Sequence, residues 1–187
     1  MKVKSTTKLL DKTDIIGMVH RLTHEIVEKN ENPDDIVLIG ILSRGEPLAY
    51  RIKDKIREIT SKEVNLGTVN ISFHRDDFME RLVVPQVKAT DITFSLDKKT
   101  VILVDDVLYT GRTIRAAIDE ILSFGRPSKI QLLVLVDRGH REMPIKADYV
   151  GKNIPTNDGE HVNVLLQEVD KKDLVELLRF SEVENNA

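Results

Sequence analysis

The stretch Thr100-Val101-Ile102-Leu103-Val104-Asp105-Asp106-Val107-Leu108-Tyr109-Thr110-Gly111-Arg112-Thr113 decides how the rest of the chain is read. Thr100 to Val104 is a short β-branched and apolar run approached by Lys98 and Lys99, the pattern of a strand buried on both faces. It stops on two adjacent carboxylates, Asp105 and Asp106. Beyond Thr110-Gly111-Arg112-Thr113, the residues Ile114, Ala117, Ile118, Ile121 and Leu122 recur at helical spacing. The unit is therefore strand, acidic pair, small-residue loop, helix.

That order has a chemistry. Gly111 lets successive backbone N–H groups approach an anion, threonine hydroxyls add donors, and the positive end of the following helix points to the same place. Such a pocket suits a monophosphate. The carboxylates just upstream disfavour a phosphate but accept hydrogen bonds from a ribose diol, or ligate Mg²⁺. The combination points to a ribose 5-phosphate rather than a nucleoside triphosphate, and the chain has no Gly-x-x-x-x-Gly-Lys-Ser/Thr loop. Thr-Gly-Arg-Thr alone would be no more than a capped helix start.

Working outward, Ile36 to Leu42 is a continuous apolar strand ending in Ser43-Arg44-Gly45, and a helix follows from about Glu46 to Thr60. Read alone, that junction is either an ordinary turn or a cation placed where open α/β sheets bind ligands. Asp14 to Asn30 carries Ile15, Val19, Leu22 and Ile26 at helical spacing, with Thr13 or Asp14 as N-cap. Its outer stripe holds His20, Arg21, His24 and Lys29, which on pattern alone is a solvated face. Val64 to Phe73 reads as a strand, and the residues beyond it to about Ile92 lack periodicity. A long irregular segment inside a small domain is usually functional or mobile. Ile130 to Val136 is a further buried strand, Tyr149 to Gly151 and His161 to Leu166 are shorter ones, and Asp170 to Leu178 reads as a final amphipathic turn or helix.

With 187 residues, 41% of them apolar, the chain can form one α/β domain over 1–187. The absence of cysteine removes disulfides and thiolate metal sites. No eighteen-residue apolar run occurs, so a cytoplasmic chain outside the membrane is expected. A net charge of −3 permits RNA binding only where Lys and Arg gather on one face. Aromatic residues, at 4%, are too few for a base-stacking platform.

Val101 to Thr113 resembles the phosphoribosyl pyrophosphate (PRPP) motif of type I phosphoribosyltransferases. The run from Val136-Asp137-Arg138-Gly139-His140-Arg141 through Lys152-Asn153-Ile154-Pro155-Thr156 is similar to the branch of that family whose uracil phosphoribosyltransferases also attenuate pyrimidine operons. The resemblance spans about Asp14 to about Val175. It implies a mostly parallel central sheet flanked by helices, with a flexible hood over about 72–92 in which Arg75 and Asp76 stand in an Arg-Asp-Asp motif.

It also implies a set of roles. Asp105 and Asp106 would hold the ribose hydroxyls and act in catalysis with Arg75. Tyr109, Thr110, Gly111, Arg112 and Thr113 would bind the 5-phosphate, and Ser43, Arg44 and Gly45 the pyrophosphate. Mg²⁺ would be bound through PRPP, with Asp105 and Asp106 as further candidates for contact. Arg138, His140, Lys152, Asn153 and Ile154 would bind the base. Purine members place an Asp at the position of Tyr109, so a pyrimidine is expected: uracil plus PRPP giving UMP and pyrophosphate. Arg21, His24, Arg141, Lys146 and Lys152 would face the operon leader mRNA under UMP or UTP control, although Ile16 and Gly17 replace arginines common there. The alternatives are a transferase without the RNA function, or a purine transferase of the same fold. A homodimer or homotetramer is implied.

Overall fold

A computed structural model describes residues 3–71 and 89–180. In chain order the elements are β1 (Val3–Leu10), α1 (Lys12–Lys29), a 3₁₀ turn (Pro33–Asp35), β2 (Ile36–Ile41), α2 (Gly45–Thr60) and β3 (Asn65–Val69). They continue with β4 (Thr100–Leu108), α3 (Arg112–Ser123), β5 (Lys129–Asp137), β6 (Tyr149–Asn153), β7 (Glu160–Leu165), α4 (Gln167–Asp170) and β8 (Leu174–Phe180).

β2 to β6 form one parallel sheet in the order β3-β2-β4-β5-β6. Its central strands read as unbroken apolar runs because helices cover both faces. Ile102 and Val104 of β4 pack with Ile15, Leu22 and Ile26 of α1 and Leu48, Ile52 and Ile56 of α2. Val101 and Leu103 point the other way, into a second cluster with Ile114, Ala117 and Ile121 of α3. The alternation along one strand thus feeds two cores.

The central strand does not stop at the acidic pair, as its sequence suggests. β4 runs on through Asp105 and Asp106, with Asp105 opposite Val134 and Leu108 opposite Asp137. β5 is long enough to extend the ladder. Asp105 Oδ1 accepts from the Asp106 N–H at 2.9 Å and Asp106 Oδ1 from the Val107 N–H at 3.0 Å. α1 likewise begins earlier than expected. Asp11 is its N-cap, in a reciprocal capping box with Asp14, so Asp14 sits in the first turn.

The second sheet is antiparallel, in the order β1-β8-β7. Here the amphipathic turn or helix expected over Asp170 to Leu178 is corrected: the helical turn ends at Asp170, and Leu174–Phe180 is a strand. Leu174, Val175, Leu177 and Leu178 fit either period; pairing on both sides, with β1 and β7, decides for the strand. β1 is mostly exposed and gave no apolar signal.

Residues 72–88 of the expected hood, Arg75 and Asp76 among them, lie outside the described residues. Just after them, Asp91 forms an isolated antiparallel bridge with Thr68. Among the described residues, no helix is long and apolar enough to cross a membrane.

Candidate active site

The loops after β2, β4 and β5 and the end of β6 all open at the carboxyl edge of the parallel sheet, where ligands of such sheets bind. α2 and α3 begin at this edge, and neither N-cap residue supplies a side-chain cap, although Thr110 Oγ1 accepts from the Arg112 N–H at 3.3 Å; α1, which begins elsewhere, has a complete capping box. Uncapped N-terminal turns offer N–H groups and a positive dipole end to an anion.

The loop before α3 is shaped by Gly111, at φ +92°. That conformation carries the chain from β4 into the helix, and the site is tight: a Cβ on Gly111 would lie 3.1 Å from Met143 Cβ. Thr110 is buried and its carbonyl accepts from the Glu142 and Met143 N–H groups, tying the loop before α3 to the β5–β6 connection. Arg112 is exposed and pairs with Glu142. Thr113 is half-buried in the first turn of α3.

Asp105 and Asp106 are 3% and 8% exposed, at the end of the strand between the two helix starts. Gly45 brings the other loop against them. A Cβ there would run into the Val104 carbonyl and lie 3.3 Å from Asp105 Cα, so a residue with a side chain cannot seat α2 this close. Ser43 is exposed, Arg44 occupies the N-cap position of α2, and the Leu42–Ser43 peptide is cis. The Arg44 guanidinium is not turned freely to the edge. It makes a two-pronged pair with Asp170 of α4, Nε to Oδ2 at 3.1 Å and Nη2 to Oδ1 at 2.8 Å.

On the β5 side, Tyr109, Arg138 and His140 form a cluster. Arg138 is buried, with its guanidinium carbon 3.9 Å from the centre of the Tyr109 ring. His140 meets the same ring edge-on at 6.0 Å between centroids. Arg138 Nε donates to Thr156 Oγ1 at 3.2 Å and Nη2 to the Glu160 carbonyl at 2.8 Å. Burial pulls its pKa down from the ordinary arginine value. His140, at φ +58°, places Nε2 2.7 Å from the Thr156 carbonyl, so that nitrogen carries a proton. Thr156 therefore anchors both side chains. The pattern of the sequence gave it no role, although it ends the run that resembles the family. Lys152 and Asn153 are exposed at the end of β6, and the Ile154 N–H is held by the Asp137 carbonyl at 2.8 Å.

The residues expected on an RNA face are divided by the structure. Lys146 and Lys152 are exposed. Arg141 is half-buried and holds the site together: it donates to the carbonyls of Tyr109 at 2.7 Å, Gly139 at 3.1 Å and Ile145 at 3.0 Å, and pairs with Asp137. Arg21 ties α1 to β6 through the carbonyls of Val150 at 3.0 Å and Gly151 at 2.7 Å, and it pairs with Glu25. His24 packs against His20, 4.6 Å between ring centroids.

The donor set bears on Mg²⁺. Among the described residues no group of three or more His, Asp or Glu side chains could hold a metal ion. A buried carboxylate pair supplies hard oxygen ligands, but too few for an octahedral ion without a diphosphate to complete the shell.

Residues 5–168 match the family described as phosphoribosyl transferase domain. The chain is 48% identical to the bifunctional protein PyrR of Pelotomaculum thermopropionicum over 96% of this chain and 99% of that one. It is 52% identical to bifunctional protein PyrR of Clostridium botulinum, over 95% and 97%. The chain belongs to the PyrR family of phosphoribosyltransferases. Among solved structures, a hypoxanthine-guanine phosphoribosyltransferase of Bacillus anthracis superposes with a TM-score of 0.70 at 20% identity, covering 95% of this chain and 99% of that one. A hypoxanthine phosphoribosyltransferase of Trypanosoma cruzi gives 0.71 at 19% identity, covering 92% and 94%. At such identities the likeness establishes the fold that PyrR proteins share with these enzymes, and the base must be read from the site.

Proposed function

We propose that the chain transfers the ribose 5-phosphate of PRPP to uracil, forming UMP and releasing pyrophosphate, within a single phosphoribosyltransferase domain over 1–187. The observation that carries the reading is the carboxyl edge itself. Two uncapped helix starts flank a buried carboxylate pair, and Gly45 packs one of those starts directly against Asp105. Two anion sites on either side of a diol acceptor match PRPP, which carries a phosphate at one end of a ribose and a diphosphate at the other.

In the reaction, the bond from C1′ to the diphosphate oxygen breaks as uracil nitrogen bonds to C1′, and the nitrogen's proton is released. Positive charge builds on the ribose ring, as in glycoside hydrolysis. Asp105 and Asp106 hold the 2′- and 3′-hydroxyls, and their negative charge favours that state. Tyr109 to Thr113 cradle the 5-phosphate, and Ser43 to Gly45 the diphosphate. Mg²⁺ would be held through PRPP, with Asp105 and Asp106 as further candidates for contact, and would supply charge neutralisation at the leaving group. Arg75 and the hood are assigned to closure over PRPP, which would exclude water from the cationic ring.

Uracil is favoured over a purine by Tyr109. An aromatic ring packed against Arg138 and His140 presents no carboxylate to a purine N7. His140, Lys152, Asn153 and Ile154 line the remaining base side. Asp105→Asn with Asp106→Asn is expected to abolish most UMP formation while the circular dichroism spectrum stays native; undiminished UMP formation would end the role given to the pair. A panel of uracil against hypoxanthine separates the pyrimidine reading from the purine one.

The second reading concerns RNA. The exposed Lys146 and Lys152 stand on the connection and strand that also frame the base side. A nucleotide in the pocket can therefore bias the neighbouring surface, and leader mRNA binding that rises with UMP or UTP is its signature. A cytoplasmic homodimer or homotetramer goes with this reading.

A further inference from the structure

The pyrophosphate loop is gripped from the far end of the chain. The segment joining β7 to β8 carries three acids, Glu168, Asp170 and Asp173, and α2 turns two arginines toward them, Arg44 and Arg51, two helical turns apart. Arg51 donates to Glu168 at 2.8 and 2.7 Å and to Asp173 at 2.7 and 3.2 Å. Asp170 takes Arg44 in a two-pronged pair, and its Oδ2 also accepts from the Leu166 N–H at 2.9 Å. The Arg44 and Asp170 side chains are only 12% and 17% exposed. Asp173 is held in turn by the Gln167 N–H at 2.8 Å.

The two arginines do different work. Arg51 lies mid-helix, and its pairing joins the antiparallel sheet to α2. Arg44 lies in the loop and at the N-cap position of α2, whose first turn has no side-chain cap. Fixing its guanidinium fixes the Ser43–Arg44–Gly45 backbone and the direction of the first N–H groups of the helix. We infer that Asp170 is a positioning residue for the diphosphate: it holds Arg44 so that the loop's backbone, rather than the Arg44 charge, meets the leaving group. Preorganised donors are most effective where charge develops, and a two-pronged pair constrains orientation as well as distance. The inference rests on the assignment of Ser43–Gly45 to the diphosphate.

Steady-state kinetics of the full-length protein with uracil, PRPP and Mg²⁺ tests it. Asp170→Asn keeps an acceptor for the Leu166 N–H but lacks the charge that orients Arg44. It is expected to raise KM for PRPP about tenfold, a loss of ~1.4 kcal/mol, while KM for uracil changes less than about twofold. Asp170→Glu restores part of the loss. In an Arg44→Gln background, Asp170→Asn adds nothing further, because the pair acts as a unit. Arg51→Gln, which removes the neighbouring pairs, lowers the melting temperature without the PRPP effect. Where Asp170→Asn fails to fold, Asp170→Glu carries the same comparison. An unchanged KM for PRPP, additive effects of the Arg44 and Asp170 variants, or an equal PRPP effect from Arg51→Gln overturns the inference. Failure of the underlying assignment looks different: the wild-type protein then forms no UMP, and inorganic pyrophosphate does not bind it in calorimetry.

Discussion

Gly17, Gly45 and Gly111 differ in what a side chain would meet. At Gly17, in the interior of α1, a Cβ finds nothing within 4 Å; at Gly45 it finds the backbone of β4; at Gly111 it finds a positive φ and Met143. Gly17→Ala is therefore expected to stabilise the protein by about 0.5–1 kcal/mol through helix propensity alone. Gly45→Ala should cost about 1–3 kcal/mol, since backbone cannot step aside as a side chain can, and should raise KM for PRPP by lifting α2 off Asp105. Gly111→Ala should cost about 1–2 kcal/mol from the left-handed backbone alone. Urea unfolding of the three variants checks the order; a destabilised Gly17→Ala or a neutral Gly45→Ala contradicts the geometry. Gly45 and Gly111 were legible in the sequence because each stands between a strand and a helix, where a close approach to an anion asks for glycine. Arg44 was legible only as a cation. Its partner is 126 residues away, and no local pattern announces a pair of that separation.

The elements read most clearly are those whose burial leaves a local trace. β2, β4 and β5 are covered by helices on both faces, so their apolar runs are continuous, and α1 to α3 each present one apolar stripe. The β1-β8-β7 sheet left little trace, because β1 is exposed along most of its length and β8 has an ambiguous period. Its tie to α2 is ionic, and that tie has a pH dependence. Hydrogen bonding to Arg51 is the leading cause of the lowered Glu168 pKa; for Asp173, burial raises the pKa but is outweighed by Arg51 and the Gln167 N–H, so the net shift is also downward. Carboxylates with depressed folded pKa values stabilise above their unfolded values and lose that stability as pH falls through the folded values. The wild-type protein should therefore melt higher than Arg51→Gln at neutral pH, and the gap should close as pH drops below about 4. Melting curves of both proteins from pH 7 to pH 3 decide it; a gap that stays constant would mean that Arg51 acts by packing alone.

At the scale of the molecule, a chain with a net charge of −3 can bind RNA only through a local concentration of cations. Of the arginines expected there, Arg21 and Arg141 spend donors on backbone carbonyls that hold α1 to β6 and the β5–β6 connection to the loop after β4. Replacing Arg141 would then disturb transferase and RNA functions together and distinguish nothing. Lys146 is the better probe, because it is exposed and lies on the same connection as Arg141. Lys146→Glu is expected to leave KM and kcat for UMP formation within about twofold of wild type. It should weaken UMP-dependent binding of a pyrimidine-operon leader RNA and reduce the slope of log affinity against log salt by about 0.7–0.9, the change that follows when one phosphate is no longer neutralised. Filter binding across a salt series, with and without UMP, provides both readings. Equal RNA affinity for the two proteins would move the RNA face off the β5–β6 connection, whereas a parallel loss of UMP formation would show Lys146 serving the pocket instead.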